Sequence, residues 1–261
     1  MVDGCALTRP RVECFSVSRQ TAGASLPATR QLSVAQAAPP ARRALVTGGS
    51  RGIGASIVAE LERRGLAVTA PRRAELDLAR PESLDAFIAA QLAPGFDVIV
   101  NNAGINIVKP LAAIDAATWQ QMVQVNLTAP LRLTQAFAPA MQERGYGRIV
   151  NISSVFSLVT KEGRASYSAV KAGLNGLTRT SAVELGPCGI LVNAVCPGYV
   201  ETEMTSQNNS PADLERIRAT IPLRRLARAE EVARFVGFLC SDDNSYVTGQ
   251  LLAIDGGFSC Q

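Results

Sequence analysis

The run ARRALVTGGSRGIGASIVAELERRG, which opens at Ala41, joins a short apolar strand to an amphipathic helix through a glycine-rich turn. Ala44–Thr47 supplies the strand, and Ile53, Ile57, Val58 and Leu61 recur at helical spacing. Gly48 permits the tight turn, Gly52 lets a pyrophosphate approach the backbone, and Gly54 allows the helix to lie close to the strand. The unpaired N–H groups at the start of the helix then face the phosphates. A nucleotide site is therefore expected at this turn.

The same alternation continues along the chain. A second strand is expected over Leu66–Ala70, a helix from Pro81 to about Leu92, a strand over 97–100 and a long helix over Ala117–Glu143 with bends near Pro130 and Pro139. Strand Arg148–Ile152, a helix running to about Leu185 and strand Ile190–Val195 follow. Helix Glu230–Leu239 and strand Gln250–Ile254 close the pattern. Residues 200–225 alternate polar runs, prolines and the helical stretch DLERIRAT, as a lid over a substrate would. The expected fold is α/β, a doubly wound parallel sheet (Rossmann) in one domain over 44–261, with ligands at the carboxyl ends of the strands.

Composition narrows the chemistry. The 261 residues contain no histidine, which excludes Ser-His-Asp hydrolases, His-ligated zinc dehydrogenases and dehydrogenases with a histidine acid/base. No metal site is expected. The six cysteines form no C-x-x-C pair and read as reduced thiols of a cytoplasmic enzyme. No apolar stretch is long enough to span a bilayer. The net charge of +4 resides in residues 1–43, which hold six arginines against two acids; the rest is neutral, so no nucleic-acid surface is expected. That segment lacks periodicity and reads as a disordered tail, with an organelle transit peptide or an over-long start as alternatives.

Tyr167 and Lys171 stand four residues apart in ASYSAVKAGLNGL, and Ser154 lies thirteen residues before Tyr167 in RIVNISSV. On a helix, positions i and i+4 share a face, so phenol and ammonium point into one space. A nearby cation favours the phenolate and brings a phenol towards the range of a useful proton donor. A surface Tyr–Lys pair would show the same spacing. A third run, DVIVNNAG at 97–104, is a buried strand ending in two asparagines and a glycine. TGGSRGIG, NNAG, the serine, Y-x-x-x-K and the late CPGYVET, in that order, resemble the short-chain dehydrogenase/reductase family from about Ala44 onwards.

The resemblance implies a catalytic quartet of Asn126, Ser154, Tyr167 and Lys171. It assigns Tyr167 as proton donor to a carbonyl oxygen and Ser154 as a hydrogen-bond donor to the same oxygen. Lys171 would lower the phenol's pKa and hold the nicotinamide ribose, and Asn126 would hold a water leading from Lys171 to solvent. Ser153 competes for the serine role, but adjacent residues at a strand end face opposite ways. For the cofactor, the resemblance implies Gly48, Ser50, Arg51, Gly52, Ile53 and Gly54 at the glycine turn and Asp77 and Leu78 at the adenine. It places Asn101, Ala103 and Gly104 beside the adenosine ribose, Tyr167 and Lys171 at the nicotinamide end, and Pro197, Gly198, Val200 and Thr202 at the carboxamide.

The second strand ends in Pro71, Arg72 and Arg73 where an NAD enzyme needs an acid, and Arg51 lies in the glycine turn. Three arginines suit a 2′-phosphate, so NADP is expected, with NAD as the alternative. Family members usually carry a helix between residues like Ala70 and Asp77; here it is missing. The pattern is nearest to 3-oxoacyl-acyl-carrier-protein reductases, with a sugar or polyol dehydrogenase as the runner-up and a non-catalytic nucleotide-binding protein as a third class. Arg144 could meet an acidic acyl carrier protein, but Gly186-Pro187-Cys188-Gly189 offers no second cation. Surplus apolar residues on the two long helices suggest a homotetramer, with a dimer as fallback.

Overall fold

The computed structural model describes residues 41–93, 95–207 and 209–260. The tail or targeting segment expected over 1–43 lies outside the described residues up to 40. Arg42 and Arg43 already belong to the folded unit. Arg42 pairs with Asp242 at 2.6 Å and lies over the Tyr146 ring, and Arg43 begins the first strand.

Among the described residues, six parallel strands form one sheet: β1 (Arg43–Val46), β2 (Ala67–Thr69), β3 (Val98–Asn101), β4 (Gly147–Ile152), β5 (Ile190–Pro197) and β6 (Leu251–Ile254), in the order β2-β1-β3-β4-β5-β6. Because parallel neighbours require crossovers, helices cover both faces. On one side α1 (Gly52–Arg63) and α8 (Ala229–Leu239) bury Ile57, Leu61, Val232 and Val236 against Val46, Val100 and Val150. On the other side lie α2 (Pro81–Gln91), α4 (Ala129–Arg144) and α5 (Ala165–Leu185), where Leu84, Phe87, Leu133, Phe137 and Ala182 cover Leu45, Ile99 and Ile149. Strands β3 and β4 are buried along their whole length, as their near-continuous apolar runs require.

Between β2 and α2, residues 70–80 form only turns. The shortcut holds because Leu76 and Leu78 plug into the apolar layer beside Leu84 and Phe87. Asp77 braces it, accepting from the N–H of Ala79 at 3.0 Å while its own N–H donates to Ser83 Oγ. With no strand built from this segment, β2 is the edge of the sheet.

The helix expected over Ala117–Glu143 is divided into α3 (Ala116–Val123), a π-helical turn Gln124–Thr128, and α4. Pro130 is the cause. It carries no N–H to donate to the carbonyl four residues earlier, that of Asn126, so the α-helical ladder cannot close there. Beyond β5 lie α6 (Glu203–Gln207) and α7 (Pro211–Thr220); a Ser210–Asp213 capping box starts the latter. Among the described residues, no helix is long and apolar enough to cross a membrane.

Candidate active site

A cavity of 430 Å³ runs along the carboxyl ends of β1, β2, β3, β4 and β5, from Pro71 and Arg73 to Tyr167 and Lys171. The glycine turn forms its floor. Gly48 and Gly52 have positive φ, +65° and +54°. A Cβ on Gly54 would stand 2.1 Å from the carbonyl oxygen of Gly48, so only glycine lets the helix start this close to the strand. The first turn of α1 carries no acid. Its free N–H groups and the flanking arginines fit the phosphates of a dinucleotide.

Asn102 fixes this floor from just beyond β3. Its side-chain Nδ2 donates to the carbonyls of Thr47 and Gly48 at 2.9 and 3.0 Å. Thr47 Oγ in turn accepts from the N–H groups of Asn102 and Ala103, both at 3.0 Å. Asn101, expected at the cofactor, turns the other way: it is buried and donates to Asn151 Oδ1 at 2.8 Å across the β3–β4 pair. The strand's alternation explains the exchange, since successive side chains leave opposite faces. The alternation that separates Ser153 from Ser154 also separates Asn101 from Asn102.

At the adenine end, Arg73, Asp77 and Leu78 line the cavity, and Arg72 does not. Arg73 Nε lies 3.3 Å from Asp77, and Arg51 lies 2.5 Å from Glu203; all but Asp77 are exposed, so these pairs are weak and replaceable by a phosphate. Arg72 contributes its backbone N–H to Glu75. Ser50, Ile53, Ala103, Gly104, Pro197, Gly198, Val200 and Thr202 all border the cavity, as do Ile105, Gln121 and Met204, which sequence motifs did not single out. Gln121 and Met204 come from helices far apart in the chain and carry no local pattern.

At the other end, Ser154, Tyr167 and Lys171 converge. Ser154 is extended at the end of β4, and its Oγ accepts from the N–H of Phe156 at 3.1 Å. Ser153 Oγ instead reaches the carbonyl of Lys171 and Ser157 Oγ. Lys171 is buried, and its ammonium donates to the carbonyl of Ile152 at 2.8 Å.

Burial pushes the Tyr167 phenol above its ordinary value, while the Ser154 hydroxyl and the Arg164 guanidinium pull it down. The Lys171 nitrogen is 5.8 Å from the ring centre, and burial lowers the ammonium itself to about 8.

Asn126 does not reach the cavity. It is fully buried in the π-helical turn, and its Nδ2 donates to the carbonyls of Ile105 and Met122 at 3.1 and 3.0 Å. Its Oδ1 accepts from the N–H of Ile105. The side chain thus supports the Gly104–Ile105 loop from behind, so close that a Cβ on Gly104 would lie 2.8 Å from Oδ1.

Residues 54–259 match the family described as enoyl-(acyl carrier protein) reductase. The acetoacetyl-CoA reductase of Shinella zoogloeoides is 39% identical over 236 residues, 83% of this chain and 98% of that protein. The chain belongs to the short-chain dehydrogenase/reductase family. Another member, the 3-oxoacyl-[acyl-carrier-protein] reductase of Pseudomonas aeruginosa, is 40% identical over 238 residues, 82% of this chain and 96% of that one. The crystal structure of a gluconate 5-dehydrogenase from Burkholderia cenocepacia with NADP and tartrate superposes with a TM-score of 0.80 at 31% identity, covering 84% of this chain and 96% of that one. This short-chain dehydrogenase/reductase is an oxidoreductase acting on alcohol and carbonyl groups.

Proposed function

We propose that the chain is an NADP(H)-dependent ketoreductase, moving hydride between the nicotinamide and a ketone or secondary alcohol, with a 3-oxoacyl thioester as the leading substrate. The observation that carries this reading is the continuous cavity linking Arg51 and Arg73 to Ser154, Tyr167 and Lys171. Bound NADPH supplies the hydride. The chain's own part is to hold the carbonyl oxygen between two hydroxyls, with Tyr167 giving up its proton and Ser154 donating a hydrogen bond that strengthens as negative charge develops. Lys171, anchored on Ile152, places positive charge at the nicotinamide end. Asn126 acts through the Gly104–Ile105 loop, as a positioning residue.

Relatives named for acetoacetyl-CoA and 3-oxoacyl-carrier reduction support the thioester, and the NADP-bound neighbour supports the cofactor. NAD is the alternative cofactor. Docking of an acyl carrier protein has less support, because Arg144 is spent on Asp97 at 2.9 Å and on the carbonyl of Phe96 at 2.6 Å. The second substrate reading, a sugar or polyol dehydrogenase, rests on the gluconate 5-dehydrogenase neighbour. Turnover of acetoacetyl thioesters, sugars and small diketones with NADPH and NADH tests both. No oxidation of NADPH with any ketone and no reduction of NADP with any alcohol would overturn the proposal.

A homotetramer, with a dimer as fallback, and a cytoplasmic location complete the reading. Much of the helix surplus is consumed inside the subunit: Met122, Leu133, Phe137, Met141, Val170 and Leu174 are buried. The stripe left for partners is narrower, with Val123, Leu127, Leu131 and Leu177 half-buried and Val183 exposed.

A further inference from the structure

Arg164 stands immediately before α5, one helical turn ahead of Tyr167, and its side chain is 4% exposed. Among the described residues, its Nε and Nη1 are buried without any hydrogen-bond partner. Among the described residues it joins no ion pair. A guanidinium remains charged at any pH the protein meets, and burying it unpaired is costly. The face of the group is occupied, since Cζ lies 5.2 Å from the centre of the Phe156 ring. Stacking of that kind leaves the in-plane N–H donors unused.

The surroundings hold a second uncompensated cation. Lys161 Nζ lies 5.7 Å from the same Phe156 ring and 2.9 Å from the hydroxyl of Tyr199, a neutral group, and likewise joins no ion pair among the described residues. Phe156 and Tyr199 form an apolar wall with Ile217, Ile221 and Leu226, against which Tyr167 packs. The wall therefore adjoins the reacting end of the cavity, and it carries two positive charges and no paired acid.

We propose that Arg164 receives a carboxylate of the substrate, so that a short oxo acid is reduced in preference to its neutral ester. The inference rests on the hydride-transfer reading, and it adds short oxo acids to the substrate classes considered above. Lys161 contributes positive field at the same wall. Arg164 precedes Tyr167 by three residues at the start of α5, and both lie against the apolar wall that contains Phe156.

The test compares reduction of acetoacetate and of methyl acetoacetate by NADPH in the wild type, Arg164→Gln and Arg164→Lys. The wild type should favour the acid. Arg164→Gln should lower kcat/KM for acetoacetate about 10- to 100-fold more than for the ester, the scale of a charge-assisted hydrogen bond, because any loss of the guanidinium's pull on Tyr167 falls on both substrates alike. Arg164→Lys should restore part of the preference. A wild type that favours the ester, or an equal loss on both substrates, overturns the proposal and leaves the ketoreductase intact. Calorimetric binding of malonate to the NADP-loaded enzyme needs no turnover, and so separates this proposal from the reaction itself. Binding by the wild type that Arg164→Gln abolishes supports the carboxylate site, and no binding by the wild type refutes it. Should the glutamine variant fail to fold, the lysine variant decides: it should bind malonate more weakly than the wild type, and unchanged binding refutes the site.

Discussion

The Lys171 ammonium donates to the carbonyl of Ile152 at 2.8 Å, while its nitrogen stands 5.8 Å from the centre of the Tyr167 ring. The lysine therefore ties the middle of α5 to the carboxyl end of β4, and does not pair directly with the phenol it was expected to activate. Burial has lowered this ammonium to about 8, and the stability of the ligand-free protein should record that.

Below about pH 8 the lysine is charged in both folded and unfolded chains, and the cost of burying it is fully present. Between about 8 and the ordinary value of 10.5 the folded chain has lost the proton and the unfolded chain keeps it, so stability rises with pH. The difference in unfolding free energy between wild type and Lys171→Met should move in favour of the wild type by about 2–3 kcal/mol from pH 7 to pH 10. Denaturant titrations at the two pH values measure it; a constant difference would show that the lysine is not perturbed.

Tyr167→Phe removes the proton and keeps the ring. We expect kcat to fall by about two to four orders of magnitude, the range for loss of a general acid, with NADPH binding nearly unchanged. Steady-state kinetics and cofactor fluorescence titration give both quantities, and retention of most activity would exclude Tyr167 as the donor.

The three arginines no longer rank together. Arg51 and Arg73 line the cavity and Arg72 does not. Replacing Arg73 or Arg51 by Ala should weaken NADPH about 10- to 100-fold relative to NADH, because only NADPH carries the 2′-phosphate. Arg72→Ala should change the ratio little. Dissociation constants for both cofactors decide, and equal losses for the two would remove the phosphate assignment.

Gly54→Ala adds a single methyl group 2.1 Å from the Gly48 carbonyl and 2.5 Å from Asn102 Nδ2. Helix and turn must separate to admit it, so we expect a loss of stability of at least about 1–3 kcal/mol together with weakened cofactor binding. A variant that melts with the wild type and binds NADPH normally would contradict the close approach on which the cradle depends.

Assembly is read by light scattering. A homotetramer should persist at micromolar concentration, and Val183→Asp should shift it towards smaller species, since Val183 is 78% exposed in the isolated subunit. A stable monomer of 27.5 kDa in the wild type would refute the assembly.

Sequence alone determined what depends on near neighbours in the chain. The glycine turn between strand and helix, the four-residue spacing of Tyr167 and Lys171, and the alternation of strands and helices are local patterns with one dominant physical solution each. Tertiary structure decided which side chains face the cavity and which groups find partners. Asn101, the last residue of β3, faces Asn151 of β4, while Asn102, just beyond the strand, turns to the glycine floor. Arg72 and Arg73 part because Leu76 and Leu78 anchor the short connection in the core. Asn126 is withdrawn by a π-helical turn that Pro130 imposes, and its contacts with Ile105 cross 21 residues of chain. Arg164 was not distinguished by any pattern, because a missing partner shows only once distant segments have packed around a charge.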